Sequence, residues 1–148
     1  MTVIAWDGSV LAADKQATNA GLRMKATKIH KINGCICAVS GDWDRAQALL
    51  HWFGQGANPE SYPESQKSDN DFVGMVVVRP DNTVVKYERT PYPYPVEDKL
   101  FSIGSGRDFA LGAMASGANA IQAVHIASRF ESGCGLGVDW MSHNTEAA

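Results

Sequence analysis

Apolar and polar positions change period several times along the chain, and each change marks the boundary of an element. Residues 2–6 form a short β-rich run, Asp7-Gly8 is a tight-turn dipeptide, and 9–13 form a second run, which together predict a hairpin. Residues 15–24 are polar and Gly-containing and carry no strand signal. Residues 28–32 and 35–40 are again strand-like, and Asn33-Gly34 between them is the strongest two-residue hairpin signal. Ser40-Gly41-Asp42 ends that strand and offers a helix cap. From Asp44 the period becomes helical, with Ala46, Leu49, Leu50 and Phe53 recurring until Gly54-Gln55-Gly56 stops it.

Residues 57–71 carry no period and predict a polar connection of more than usual length. Residues 72–78 and 83–88 predict another hairpin, turning at Arg79-Pro80-Asp81-Asn82. The prolines of 90–95 exclude a central strand and predict an extended surface segment. A strand over 99–103 breaks at Gly104-Ser105-Gly106, and helices follow over Arg107–Ala115 and 118–130, parted by Ser116-Gly117. A Gly-rich final strand over 134–142 completes the pattern. Strands, helix, strands, helix pair, strand is the order of an α+β or layered sandwich fold with antiparallel sheets, not of a wound βαβ fold. There is no internal repeat.

Composition narrows the classes. A chain of 148 residues, 45% hydrophobic and 20% charged, fits one globular domain over 1–148. The net charge of -3, with no basic run, argues against a nucleic-acid partner. The longest apolar stretch, 73–78, falls far short of the ~20 residues of a membrane span, so no membrane partner is expected. The start of the sequence lacks the layout of a signal peptide, which makes the cytoplasm the expected compartment. Cys35, Cys37 and Cys134 form no disulfide framework and no zinc spacing; Cys35 and Cys37 read as small buried hydrophobes on one strand face. Trp52 and Phe53 are adjacent on a helix, so one of them is expected to point away from the core as an apolar anchor for a neighbouring subunit.

Thr2 is the first candidate for chemistry. Removal of Met1 would give a hydroxyl nucleophile carrying its own α-amine, whose unperturbed pKa of about 7.7–8.0 suits a base at neutral pH. Thr after Met is also simply a common start. Asp14 ends the second strand and reads equally as a turn former; Lys28 opens the next and reads equally as a solvated edge lysine. Paired beside Thr2, the ammonium would lower the nucleophile's proton affinity and the carboxylate would keep that ammonium charged. The turn at Gly41 offers a backbone N–H of the kind an oxyanion needs, or is an ordinary glycine turn. His51, His125 and His143 lack partners at metal-ligand spacing, so no metal is expected, and Gly104-Ser105-Gly106 lacks the Lys-Ser/Thr of a phosphate loop.

Five spaced motifs carry a resemblance: Thr2-Val-Ile-Ala, Leu-Ala-Ala-Asp14-Lys-Gln-Ala-Thr18, Thr27-Lys28-Ile-His-Lys-Ile, Ala38-Val-Ser-Gly41-Asp and Ile103-Gly-Ser105-Gly. In this order, over nearly the whole chain, they resemble the proteasome β-subunit family of N-terminal-nucleophile threonine proteases, nearest its bacterial HslV and betaproteobacterial branches. The resemblance implies a four-layer αββα sandwich and an endopeptidase in stacked rings of six or seven copies of itself. It implies a polypeptide substrate and no cofactor, and an ATPase unfoldase is a possible partner. By the same resemblance Thr2 is the nucleophile, Asp14 and Lys28 the charged pair, Gly41 the oxyanion glycine and Ser105 a partner of the threonine amine. Ala17, Ala26, His30, Val39 and Trp43 match specificity-pocket positions, and Thr18 a position whose backbone pairs with extended substrate. Proteasome subunits have an Asp three residues before a Ser-Gly; here Arg129 stands at that spacing before Ser132-Gly133, with Glu131 adjacent. Ser132 and Glu131 both remain candidates for completing the network. A catalytically silent ring subunit and a non-compartmentalised amidase are the alternative functions.

Overall fold

The computed structural model describes residues 1–67 and 72–144. The chain divides into two compact units, one formed by Met1–Ile29 with Asp98–Ala148 and the other by His30–Glu97.

In the first unit β1 (Ile4–Trp6) and β2 (Leu11–Asp14) form the expected hairpin, flanked by β10 (Phe101–Ile103) and β11 (Val138–Met141) in the antiparallel order β10-β1-β2-β11. One carboxylate closes the turn: Asp7 Oδ1 accepts the N–H groups of Ser9 (2.9 Å) and Val10 (2.8 Å). Its Oδ2 accepts the Ala120 N–H at 2.9 Å, so the same side chain also serves the start of a helix. Helices α2 (Arg107–Ala115) and α3 (Ala120–Phe130) follow, α3 opening on an Asn119–Gln122 capping box. Ala110, Ala120, Ala123 and Ala127 share a core with Val3, Ala5 and Ala12 of the sheet. Small side chains on both surfaces let helix and strand backbones approach closely, and volume added there has no slack to enter. The supposedly featureless stretch after Asp14 is a further hairpin, β3 (Gln16–Asn19) with β4 (Leu22–Lys25), turning at Ala20-Gly21 with positive φ at both residues.

In the second unit β5 (Ile29–Ile32, its first residue the last of the other unit), β6 (Cys35–Ser40), β7 (Gly74–Val78), β8 (Val84–Tyr87) and β9 (Tyr94–Val96) make one sheet in sequence order. Asn33 and Gly34 have φ of 51° and 78°, the left-handed pair a two-residue hairpin turn needs. The Pro-rich segment supplies β9, an edge strand, where Pro95 opposite Val85 costs no interior ladder. Helix α1 (Trp43–Gly54) starts at Asp42, whose side chain accepts the Arg45 N–H at 3.0 Å. Its Ala46, Leu49 and Leu50 pack with Cys37, Val39, Met75, Val77 and Val85 in the core of this unit. Cys37 is fully buried and its thiol is pushed up to about 12, as fits a small hydrophobe.

The expectation of an exposed aromatic anchor on α1 is corrected. Trp52 is 4% exposed, donates its indole N–H to the Asn58 carbonyl at 2.8 Å and meets Tyr62 and Tyr87 edge-on. Phe53 also packs on this core, edge-on to Tyr87. The connection after α1 contains two 3-10 turns, Pro59–Ser61 and Glu64–Lys67, and its Asn58 and Tyr62 cover Trp52, whereas Phe53 stays half-buried. Within it, buried Gln66 donates to the carbonyls of Val73 and Glu88 and accepts the Val73 N–H, each at 2.7 Å. Residues 68–71, the rest of the predicted connection, lie outside the described residues.

Candidate active site

Four separate segments of the first unit meet at Thr2. Strand β1 begins two residues later and fixes its backbone, while β2 ends at Asp14, whose carboxylate points back to the start of its neighbour. Asp14 Oδ1 accepts the Val3 N–H at 3.0 Å, and Oδ2 accepts those of Gln16 (3.2 Å) and Gly135 (3.1 Å). Lys28 Nζ completes the set, donating to Asp14 Oδ1 at 2.8 Å. A buried carboxylate satisfied by this many donors is held in a fixed orientation.

The same ammonium donates to Thr2 Oγ1 at 3.1 Å and to the Met1 carbonyl at 3.3 Å. Thr2, Asp14 and Lys28 are 3%, 0% and 2% exposed, so the pair acts in a medium of low dielectric, where its field on Oγ1 is strong. Burial lowers the Lys28 pKa from its ordinary value, and the Asp14 charge opposes that shift. A lysine whose positive charge is opposed by burial and maintained by one carboxylate depresses the proton affinity of a hydroxyl in direct contact.

The Gly104-Ser105-Gly106 break supplies the other wall. A Cβ on Gly104 would lie 2.1 Å from the Thr2 carbonyl oxygen, and Gly104 has a φ of 96°; only glycine allows this approach. The Gly106 N–H donates to the same carbonyl at 3.1 Å. Ser105 Oγ accepts the Thr2 N–H at 3.3 Å. The structure therefore brings together Thr2, Asp14, Lys28 and Ser105, four of the residues the sequence singles out.

Ser132 is exposed, and its backbone carbonyl accepts from Gln16 Nε2 at 3.2 Å. Glu131 Oε1 accepts the Gly133 N–H at 3.1 Å and so shapes the turn. On the β3–β4 hairpin, Ala17 is half-buried opposite Met24, and Thr18 is exposed with its hydroxyl accepting from Gln16 Nε2 at 3.3 Å. The Ala26 N–H donates to the Lys15 carbonyl at 2.8 Å. Gly41, His30, Val39 and Trp43 belong to the second unit. There Gly41 turns at φ 135° against Val73, and His30 is half-buried on β5. Val39 is 1% exposed in the core, and Trp43 opens α1 packed against that core.

Sequence reasoning missed Gln16, Gly135 and Cys134. Gln16 is 1% exposed, and its Oε1 is buried without a partner among the described residues. Cys134 Sγ lies 3.8 Å from Ser105 Oγ. A polar residue beside Asp14 and a thiol beside the last helix give no periodic signal; only the contact with the site singles them out. Among the described residues no cluster of His, Cys, Asp and Glu suits a metal ion, and no helix is long and apolar enough to cross a membrane.

No known family profile and no curated protein matches the chain. Solved structures do. Thiobacillus denitrificans BPH, a bacterial proteasome homologue, is 19% identical over 95% of this chain and 96% of its own, with a TM-score of 0.67. Eukaryotic HslV from Trypanosoma brucei is 17% identical over 95% and 97%, with a TM-score of 0.68. Thiobacillus denitrificans BPH in complex with epoxomicin is 17% identical over 95% and 96%, also at 0.68. The resemblance first met in five short motifs extends to three dimensions: the chain has the fold of HslV and the bacterial proteasome homologue.

Proposed function

We propose that the protein is a threonine-type endopeptidase of the proteasome β-subunit family, acting in the cytoplasm on unfolded polypeptides within a double ring of its own copies. The observation that carries this reading is the contact of Thr2 Oγ1 with a buried ammonium that is itself neutralised by a fully satisfied carboxylate. A structural threonine does not need an ion pair at its hydroxyl, and a buried ion pair is a costly way to stabilise a fold. The reading takes 1–148 as one functional domain with αββα layering.

In the mechanism, removal of Met1 turns the Thr2 N–H into an α-amine. Thr2 Oγ1, its proton affinity lowered by Lys28, attacks the scissile carbonyl while the amine takes the proton, directly or through a water. The Gly41 N–H receives the developing oxyanion. The amine then protonates the leaving nitrogen, and water, activated by the same amine, hydrolyses the ester on Thr2. Ser105 orients the amine, and Asp14 holds Lys28 charged. Ser132 belongs to the network through the carbonyl that Gln16 holds. The family resemblance assigns backbone pairing with extended substrate to Thr18, and side-chain preference to Ala17, Ala26, His30, Val39 and Trp43. An ATPase that unfolds substrates is the partner this activity calls for.

Met1 is 67% exposed, so an aminopeptidase can reach it. With Met1 in place the Thr2 nitrogen is an amide and no base, and the chain is silent. The decisive experiment is a peptide-hydrolysis assay on chain whose mass shows Met1 removed, beside Thr2→Ala and Thr2→Ser. Thr2→Ala is expected to abolish turnover and epoxomicin binding, while Thr2→Ser keeps part of both. Turnover by Thr2→Ala equal to wild type overturns the mechanism.

A further inference from the structure

The Ser105 hydroxyl has three polar neighbours, and together they determine where its one proton goes. It accepts the Thr2 N–H at 3.3 Å, its O–H faces the Thr2 carbonyl at 3.5 Å, and Cys134 Sγ lies 3.8 Å away as donor or acceptor. A hydroxyl has one proton and two lone pairs, while a thiol is both a weak donor and a weak acceptor. Two arrangements are open to the Ser105 hydroxyl. In one, Ser105 donates to the Thr2 carbonyl and the thiol S–H fills its second lone pair. In the other, Ser105 donates to sulfur and the Thr2 carbonyl keeps its bond from the Gly106 N–H. Both turn a lone pair toward the Thr2 nitrogen and keep the Ser105 proton off it.

We infer that Cys134 is a positioning residue that sets the polarity of the Ser105 hydroxyl, so that Ser105 accepts from the Thr2 nitrogen and does not donate to it. The inference rests on reading the freed Thr2 amine as the catalytic base. That amine needs its lone pair for the Oγ1 proton. A hydroxyl donating into the lone pair would compete for it and would stabilise the neutral amine, lowering its pKa. Without the sulfur, the Ser105 proton would have only the long contact to the Thr2 carbonyl to hold it.

The surroundings of Cys134 suit this part. The side chain is 4% exposed and shares a core with Val3 and Ala127. A Cβ on Gly106 would stand 3.2 Å from its sulfur, so the thiol is enclosed on that side as well. Burial first, and the Asp14 charge after it, push the thiol up to about 11, so it remains S–H throughout the working range. A buried, protonated thiol is a poor nucleophile and a poor target for oxidation. What it retains is the ability to hydrogen-bond without introducing charge beside Lys28.

The test compares wild type, Cys134→Ala, Ser105→Ala and the double variant, each labelled with 15N-threonine. In chain bearing Met1, solvent exchange of the Thr2 amide is read. Cys134→Ala is expected to speed it about tenfold, Ser105→Ala at least as much, and the double variant no more than Ser105→Ala alone. In chain with Met1 removed, titration of the Thr2 amine should show a lower pKa for Cys134→Ala and none of that shift once Ser105 is absent. Effects of Cys134→Ala that persist in full in the Ser105→Ala background, or no effect on the exchange and titration of Thr2, overturn the inference and leave Cys134 a packing residue. Neither reading requires turnover. A processed wild type that hydrolyses no peptide would therefore sink the proposed function, while the coupling of Cys134 to Ser105 would be decided separately.

Discussion

Lys28 donates within one small space to a carboxylate, a hydroxyl and a carbonyl, and removing it exposes what each depended on. Lys28→Met leaves Asp14 buried without its counter-charge, which is expected to cost about 3–5 kcal/mol in denaturant unfolding. Peptidase activity per folded molecule should fall by at least about 100-fold, since Oγ1 regains its ordinary proton affinity. Normal activity in the fraction that stays folded would make Lys28 a structural residue. The pH profile follows from the same group. Under the proposed function, catalysis needs Lys28 protonated and the amine neutral, so kcat/KM should be bell-shaped. The acid limb reports the amine. The alkaline limb reports Lys28 and should fall below the ordinary lysine value of 10.5, because burial lowers its pKa. Asp14 opposes that shift, so Asp14→Asn should move the alkaline limb to still lower pH. A limb unmoved by Asp14→Asn would show that some other group titrates there.

Among elements, the α3 start and the β1–β2 turn share Asp7, and Asp7→Ala unties both at once. Three backbone N–H groups lose their acceptor, so a loss of about 1–3 kcal/mol is expected in thermal or urea unfolding, with little change in the β3–β4 hairpin. Such double duty cannot be seen in a sequence, where Asp7-Gly8 reads only as a turn. What can be read there is whatever local chemistry decides. Asn33-Gly34 specifies its turn, Asp42 its cap and Gly54-Gln55-Gly56 its stop, and these elements stand where the pattern puts them. The β3–β4 hairpin was illegible because its apolar residues, Leu22 and Met24, are exposed and its turn is Ala-Gly, which is not a strong signal. Trp52 and Phe53 were misread for the opposite reason. Local periodicity allows one inward face, while Tyr62 of the connection meets Trp52 and Tyr87 of β8 meets Phe53. The site was legible where motifs carry it, at Thr2, Asp14, Lys28 and Ser105; Gln16 and Cys134 matter through contacts 116 and 29 residues away in sequence.

For the whole molecule, the proposed ring needs an apolar surface to close it, and α1 does not provide one. An exposed aromatic pair lies instead on α2 and α3, where Phe109 (43% exposed) stacks on Phe130 (61%) at 5.7 Å. Under the proposed function, native mass spectrometry should find twelve or fourteen copies, and Phe109→Asp with Phe130→Asp should give a smaller species of unchanged melting temperature. A wild type that sediments as a fully active monomer at micromolar concentration would rule out the ring. Asp14 carries a consequence of a different kind, one of timing. Its carboxylate binds Gly135, 121 residues further on, and Thr2 binds Ser105, 103 residues further on. As the chain leaves the ribosome, its first residues are synthesised long before the partners that would arm them. A nascent chain therefore carries Thr2, the proposed nucleophile, past other unfolded polypeptides with the Asp14 carboxylate still incompletely held. Under the proposed function, the capacity to cut is withheld until Gly135 has been made and has folded back onto Asp14.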